Sequence, residues 1–180
     1  MPEDTSDRTV EGAAQSAVDA LRAAGLRIAT AESCTAGLLA ATLAAAEGAG
    51  DVLHCGYIVY TKDAKAALLG VPRPLMETRS GAVSEAVARS MAENALARSG
   101  ALLAVAVTGV VGPAPDEDGN PVGRVDLACA GAGVTLYRRC EWPVQERSKL
   151  CRATLLAALS MIGTAVMNRA DAVSADGPPL

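Results

Sequence analysis

Strand-like and helix-like segments alternate along most of this 180-residue chain, and this alternation limits the folds open to it. Residues 26–31 alternate as a strand does and pass through a short polar turn into an Ala- and Leu-rich helix at residues 38–46. Further strands are predicted at residues 52–60, 102–107, 122–130 and 134–142. Further helices are predicted at residues 10–24, 65–69, 84–98 and 145–168. This order predicts an α/β fold, a three-layer α/β/α sandwich with a mixed sheet of about five strands.

The side chains available for the core are small. Hydrophobic residues make up 51% of the chain, aromatic residues make up 2%, and Phe is absent from the sequence. A core built from Ala, Val, Leu and Ile favours closely packed helices and strands. The length suits one domain, which we expect at residues 10–168, with disordered tails at residues 1–9 and 169–180.

The charge and the cysteine content limit the kinds of partner and the cellular compartment that we expect for this chain. The chain has 16 basic and 20 acidic side chains, a net charge of -4, and no run of Lys or Arg, which argues against nucleic acid as a partner. Its five cysteines form no Cys-x-x-Cys pair, as is typical of free thiols in a reducing compartment. Without a signal-like start or an apolar stretch of ~20 residues, we expect a cytoplasmic protein with no membrane partner.

Ser33 lies where the first predicted strand turns into a helix. In open α/β sheets, ligands bind where strands end, and this rule also singles out Tyr60 and Thr108 at the ends of two other strands. Three backbone N–H groups of the turn are candidates to hold an anion or a developing oxyanion: those of Thr35, Ala36 and Gly37. The alternative interpretation is that Ser33 or Thr35 only caps the helix.

A nucleophilic serine needs a base to take its proton. His54, the single histidine, is predicted near the beginning of its strand and away from the end that would line the site. A lysine replaces histidine when its pKa is lowered, and Lys65 and Lys62 are both candidates. Tyr60 is close enough in sequence to orient the base or relay the proton. Cys34 is interpreted as a packing residue, because nothing in the sequence marks its thiol as activated.

No metal site is predicted. One histidine and scattered cysteines do not give the ligand spacing of a zinc site. The acidic segment at residues 116–120 resembles the start of a calcium loop, but Pro121 stands where that loop needs glycine and no glutamate closes it. We therefore expect a solvated turn there, with neither metal nor cofactor.

Several motifs together resemble one known family. Residues 31–37, Ala-Glu-Ser-Cys-Thr-Ala-Gly, are similar to the Ala-Glu-Ser-Cys-Thr-Gly-Gly signature of the CinA C-terminal domain family, the nicotinamide mononucleotide (NMN) deamidases. Further similar segments follow in the family's order, at residues 56–65, 68–71, 81–84, 107–113 and 121–123. The resemblance extends over residues 10–166.

The resemblance implies hydrolysis of the carboxamide of NMN to nicotinate mononucleotide and ammonia, without metal or cofactor. It implies that Ser33 is the nucleophile, Lys65 its base and Tyr60 the hydroxyl that assists proton transfer. The small-molecule nucleotide would be bound by residues of the turn, a strand end and the last helix: Cys34, Thr35, Ala36, Gly37, Thr108, Gly109 and Arg147. The apolar, alanine-rich last helix also predicts a homo-oligomer.

The chain departs from the family pattern at several positions. Ala36 stands where the family has glycine, and Lys62 replaces an uncharged polar residue. The loop at residues 114–118 carries three carboxylates in place of glycines, and only Arg147 remains of a Gly-Asp-Arg before the final helix. Two alternatives follow: a catalytically silent nucleotide-binding or interaction domain of the same fold, and an amidase for a different small amide.

Overall fold

The computed structural model describes residues 9–131 and 133–175. Its strands are β1 Ile28–Glu32, β2 Leu53–Ile58, β3 Leu103–Gly109, β4 Arg124–Gly131 and β5 Val134–Glu141. Its helices are α1 Val10–Ala23, α2 Leu38–Ala44, α3 Ala49–Val52, α4 Lys62–Ala64, α5 Arg73–Met76, α6 Glu85–Ser99 and α7 Arg147–Ala175. A π-helical turn, Lys65–Leu69, continues α4.

The strands form one mixed sheet in the order β2-β1-β3-β4-β5. β1 pairs in parallel with both β2 and β3, whereas β3 with β4 and β4 with β5 pair antiparallel. The predicted mixed sheet of about five strands is confirmed. Because β1, β2 and β3 are parallel, their carboxyl ends lie at the same edge of the sheet, where open α/β sheets bind ligands.

Helices cover both faces of the sheet. Along β3, Leu103, Val105 and Val107 pack into one hydrophobic cluster with α1, α2 and α7. The alternate residues, Ala104 and Ala106, pack into a second cluster with α6. This alternation is the period of two expected of a strand buried on both faces, and it produces the predicted three layers.

The sheet face toward α6 is lined by alanine, and we call this layer the alanine face. Its sheet residues are Ala29, Ala31, Ala104, Ala106, Ala128 and Ala130, and its α6 residues are Ala88, Ala92 and Ala95. All nine are nearly or completely buried. Methyl groups let a helix approach a sheet closely, so this interface explains how a chain without Phe still forms a dense core.

α7 is the longest described helix, and its apolar side is used inside the domain. By length and composition alone, Arg147–Arg169 would suffice to cross a membrane, which the sequence analysis did not expect, but 61% of its most apolar stretch is buried. Leu150, Leu159 and Ile162 belong to the cluster that α7 shares with α1 and the sheet. The homo-oligomer, predicted from this apolar character, stays a prediction.

The structure differs from the predicted elements mainly in short segments. α3 and α5 were not predicted, because four residues are too few to show a helical period. α7 continues to Ala175, past the predicted end at Asn168, because the chain has no Gly or Pro between these residues. The helical residues 169–175 therefore correct the predicted disordered tail. The rest of both predicted tails and Ala132 of the β4–β5 turn lie outside the described residues.

Candidate active site

A sharp turn carries Ser33 from the end of β1 to the beginning of α2. Ser33 is only 6% exposed, and its backbone N–H donates to the Val107 carbonyl at 3.0 Å. Ala36 and Gly37 have φ of +51° and +96°, so two successive residues take the left-handed conformation before α2 begins. The turn therefore reverses the chain within a few residues and leaves Ser33 at the carboxyl edge of the sheet.

Glu32, which precedes Ser33, was not predicted as part of the site. Its side chain is completely buried, and both of its carboxylate oxygens accept hydrogen bonds. The backbone N–H groups of Gly37, Leu39 and Ala40 donate to it at 3.1, 2.9 and 2.9 Å, and the Thr30 hydroxyl donates at 3.2 Å. The carboxylate thus caps α2 in the place of a polar residue at the Gly37 position, where helices usually carry the capping side chain.

Two of the three turn amides predicted to hold an oxyanion are already engaged. The Ala36 N–H donates to the Ser33 carbonyl at 3.1 Å, and the Gly37 N–H donates to Glu32. Among the described residues, the N–H groups of Cys34 and Thr35 have no acceptor, and the buried Thr35 hydroxyl has no partner. Cys34 and Thr35, the two residues after the serine, therefore carry the backbone donors that remain.

Lys65 brings a buried amine to Ser33. Its side chain is 1% exposed and its Nζ lies 2.7 Å from Ser33 Oγ. Nζ also donates to the carbonyls of Val59 and Tyr60 at 3.1 and 3.2 Å. Burial, partly opposed by Cys34 and assisted to a smaller extent by the charge of Lys62, lowers the pKa of Lys65 to about 8. A lysine in this environment is able to accept a proton near neutral pH.

The two candidate lysines have different surroundings. Lys62 Nζ forms ion pairs with Asp118 at 2.7 Å and with Glu117 at 3.0 Å. These contacts, first of all the hydrogen bond with Asp118, raise the pKa of Lys62. Lys62 is thus held in its charged form, while Lys65 alone of the two contacts Ser33.

The backbone of Tyr60, and not its phenol, contacts the serine and the lysine. Its carbonyl accepts from Ser33 Oγ at 3.2 Å and from Lys65 Nζ. The Tyr60 side chain is 59% exposed, and its hydroxyl has no partner among the residues that the structure describes. The arrangement therefore differs from the proton-relaying hydroxyl that the sequence analysis expected.

A pocket of about 380 Å³ opens beside Ser33 at the carboxyl edge of the sheet. Four of the seven predicted binding residues line it, Cys34, Thr108, Gly109 and Arg147, whereas Thr35, Ala36 and Gly37 do not. Thr108 donates its hydroxyl to the Ala82 carbonyl at 2.8 Å, and the Arg147 guanidinium donates to the Cys34 carbonyl at 3.4 Å. Gly109 lies against the backbone of β4, where an added Cβ would come within 2.7 Å of the Arg124 carbonyl.

The acidic loop at residues 114–118 also lines this pocket, and hydrogen bonds fix its shape. Asp116 accepts from the backbone N–H groups of Asp118 and Asn120 and from the Asn120 side chain, all within 3.1 Å. Asn120 in turn accepts from Arg124 at 2.9 Å. Together with the ion pairs to Lys62, these bonds hold the carboxylates at the pocket and neutralise part of their charge.

Cys34 does not have the properties of a nucleophile. Its thiol is buried, and burial raises its pKa to about 12. A thiol with this pKa stays protonated near neutral pH and is a poor nucleophile. No three His, Cys, Asp or Glu side chains are grouped to hold a metal ion within residues 9–131 and 133–175.

Fold and site together define an α/β domain with a mixed sheet and a buried serine–lysine contact at the carboxyl edge of its parallel strands. The chain belongs to the CinA C-terminal domain family, whose model matches residues 10–166. The family predicted from the sequence is thus confirmed.

Curated relatives are similar over part of their length. A CinA-like protein of Mycobacterium avium is 54% identical over 102 residues, which are 57% of this chain and 23% of that protein. A CinA-like protein of Anaeromyxobacter sp. is 39% identical over 151 residues, or 81% of this chain and 35% of that protein. The chain therefore spans about a quarter to a third of the length of these relatives.

Solved structures are similar over nearly their whole chains. The competence/damage inducible protein CihA from Agrobacterium tumefaciens is 38% identical, with a TM-score of 0.81 over 87% of this chain and 94% of that one. A competence-damaged protein (CinA) superfamily protein from Escherichia coli is 32% identical, with a TM-score of 0.83 over 92% of this chain and 94% of that one. These structures confirm the α/β fold, and their names give a family but no substrate.

Proposed function

We propose that the domain is a serine amidohydrolase that converts NMN to nicotinate mononucleotide and ammonia. The observation that carries this proposal is the 2.7 Å contact between Ser33 Oγ and the buried Nζ of Lys65. A serine becomes a nucleophile when an adjacent base takes its proton, and a desolvated lysine is one of the side chains that serve as such a base.

The surroundings of Lys65 favour a neutral amine directed at the serine. A neutral amine keeps two N–H bonds, and the carbonyls of Val59 and Tyr60 are both placed to accept them. The nitrogen lone pair is then available to Ser33 once its hydroxyl turns from the Tyr60 carbonyl to Nζ, 2.7 Å away. The Ser33 proton passes to Lys65 as the oxygen forms a C–O bond with the amide carbon, and the carbonyl electron pair moves to the amide oxygen. The N–H groups of Cys34 and Thr35 stabilise this oxyanion.

The same lysine then returns the proton. As the oxyanion collapses, the C–N bond breaks and the leaving nitrogen takes the proton from Lys65 to depart as ammonia. Water next attacks the acyl-enzyme and gives a proton to Lys65, and Ser33 leaves with that proton, so that nicotinate mononucleotide is released and the site is restored. Tyr60 contributes its carbonyl to the orientation of Lys65, and we assign its phenol no proton transfer.

The nucleotide part of the substrate would extend along the pocket from Ser33. Arg147 supplies a cation for the phosphate, and Thr108 and Gly109 line the same pocket. The hydrogen bond from Arg147 to the Cys34 carbonyl links this phosphate contact to the turn that carries the nucleophile. We propose that this reaction takes place in the cytoplasm, in keeping with five free cysteines.

Ammonia release from NMN by the purified protein tests the proposal. With about 1 mM NMN, at the upper end of usual KM values, we expect stoichiometric ammonia and nicotinate mononucleotide. Ser33→Ala should lower the rate by about 1000-fold or more, because the nucleophile is lost. Wild-type release no greater than that of Ser33→Ala would reject the proposal.

A second candidate is an amidase for a small amide without a phosphate. The carboxylates of Asp116, Glu117 and Asp118 line the pocket, and they repel an anionic substrate except where Lys62 neutralises them. Ser33-dependent hydrolysis of an uncharged amide, with NMN unchanged, would favour this candidate. Binding of NMN by calorimetry without any product would instead favour a silent nucleotide-binding domain.

A further inference from the structure

A completely buried carboxylate lies next to the nucleophile, and the reaction steps described above do not use it. Glu32 accepts four hydrogen bonds, three of them from backbone N–H groups at the beginning of α2. Burying a charged carboxylate is costly unless charge-assisted hydrogen bonds compensate for the lost hydration. The donors of α2 supply this compensation, so the conformation of the turn and the position of the carboxylate depend on each other.

The turn between Glu32 and α2 is fixed at both of its ends. At its start, the Ser33 N–H donates to the Val107 carbonyl of the neighbouring strand. At its end, the Gly37 N–H donates to Glu32, directly after Ala36, a non-glycine residue in the left-handed conformation. The left-handed conformation costs an L residue about 1–2 kcal/mol, so Ala36 needs such surroundings to stay there.

We propose that Glu32 is the positioning residue of this active site. It holds residues 33–37 in the strained turn that presents Ser33 Oγ to Lys65, and it occupies the N–H groups of α2. The N–H groups of Cys34 and Thr35 are thereby the ones left for the oxyanion. The inference rests on the proposed function in so far as Ser33 is taken as the nucleophile, and it needs no particular amide substrate.

The test measures the reactivity of Ser33 with a neutral fluorophosphonate ester, followed by intact mass. In this reaction Ser33 Oγ forms a P–O bond as the P–F bond breaks, fluoride leaves, and the serine proton passes to Lys65. In Glu32→Gln the amide NH₂ faces N–H donors that it cannot accept, so the turn loses part of its support. We expect Ser33 to be labelled at least about tenfold more slowly, because small displacements of reacting groups are costly.

Asp126 provides a matched control. It is another completely buried carboxylate, outside the pocket lining, which accepts hydrogen bonds from the hydroxyl of Tyr137 and, at 3.0 Å, from Arg139. Asp126→Asn should therefore perturb the fold comparably, as measured by the thermal unfolding midpoint, while Ser33 is labelled within about twofold of the wild-type rate. The comparison separates positioning of the nucleophile from general loss of stability.

A double-mutant cycle with Ala36→Gly measures whether the two substitutions are coupled in their effect on the labelling rate of Ser33. A carboxylate that only stabilises the fold would give no such coupling. Glycine adopts the left-handed conformation without support, so Ala36→Gly should raise the labelling rate at least about threefold more in Glu32→Gln than in the wild type. If Glu32→Gln does not fold, Glu32→Asp replaces it. The carboxylate of this variant lies one methylene further from the amides, so Ser33 should be labelled more slowly than in the wild type.

Four results with the variants would overturn the proposal. They are wild-type labelling by folded Glu32→Gln, equal slowing by Asp126→Asn, an Ala36→Gly effect that is the same in both backgrounds, and failure of both Glu32 variants to fold. A wild-type Ser33 that does not react with the reagent would count against it equally. Glu32-dependent labelling with NMN left unchanged would reject the substrate and keep Glu32, so the two proposals fail separately.

Discussion

Lys65 Nζ and Ser33 Oγ lie 2.7 Å apart although 32 positions of sequence separate the two residues. The parallel pairing of β1 with β2 places the segments after both strands at one edge of the sheet. The π-helical turn at Lys65–Leu69 follows β2 and contributes the lysine, and the β1–α2 turn contributes the serine. Such turns are frequent at functional sites, and here the turn holds a long cationic side chain in a completely buried position.

The rate of amide hydrolysis should rise with pH through about 8, where Lys65 loses its proton. Only neutral Lys65 accepts the Ser33 proton, so kcat/KM should increase about tenfold for each pH unit below this value and level off above it. A pH–rate profile from pH 6 to 10 measures the midpoint. Lys65→Arg, which stays charged, should be inactive throughout, and a rate independent of pH in the wild type would contradict Lys65 as the base.

Lys65 should also make the folded protein less stable near neutral pH than at alkaline pH. Its folded-state pKa of about 8 lies below the ordinary lysine pKa of 10.5, so between these values the unfolded chain binds a proton that the folded one does not. Stability therefore rises with pH across this window. Relative to Lys65→Met, the free energy of unfolding of the wild type should increase by about 3 kcal/mol from pH 7 to pH 10.5.

Urea denaturation of both proteins at several pH values measures this difference. Groups that titrate in the same way in both proteins cancel in the comparison, so the remaining change belongs to Lys65. A constant difference between the two proteins over this range would show that burial does not lower the Lys65 pKa.

Lys62→Met should weaken substrate binding but leave the chemical step largely intact. Without Lys62, the carboxylates of Asp118 and Glu117 lose their cationic partner at the pocket, and KM for an anionic nucleotide should rise about tenfold. The charge of Lys62 also lowers the pKa of Lys65, so the midpoint of the pH–rate profile should move upward. Steady-state kinetics at high pH would show a retained kcat, whereas a loss of kcat like that of Lys65→Met would instead assign Lys62 to the chemistry.

Ala36→Gly should stabilise the protein by about 0.5–1 kcal/mol. Relief of the left-handed conformation at φ +51° outweighs the entropy that glycine loses on folding. Ala41→Gly is a matched control, since Ala41 is an exposed residue in the interior of α2 and the same change there should destabilise by a similar amount. Thermal unfolding of the two variants should give shifts of opposite sign.

The larger elements could be predicted because each is long enough to show whether its apolar residues repeat with the period of a helix or of a strand. β3 alternates Val and Ala between two buried faces, and α1 repeats its apolar residues at helical spacing. α3 and α5 have only four residues each, too few to show a helical period, and neither was predicted.

The site was predicted less completely than the fold. The candidate residues Ser33 and Lys65 could be named because each follows a strand that ends at the same edge of the sheet. Glu32 was not singled out, although an acidic residue at the end of an apolar strand, a short turn before a helix, was a usable signal. The choice between Lys62 and Lys65 needed coordinates, since their partners Asp118 and Ser33 come from distant parts of the chain.

The packing of the alanine face also determines the shape of the pocket beside Ser33. Because only methyl groups lie between α6 and the sheet, this interface has no space for larger side chains. One added methylene at Ala88, Ala92 or Ala95 would therefore push the helix away from the sheet. The segment just before α6 would move with it, and its Ala82 carbonyl anchors Thr108 at the pocket. Divergence among homologues in the bulk of these buried positions would thus alter the shape of the pocket while Ser33 and Lys65 stay in place.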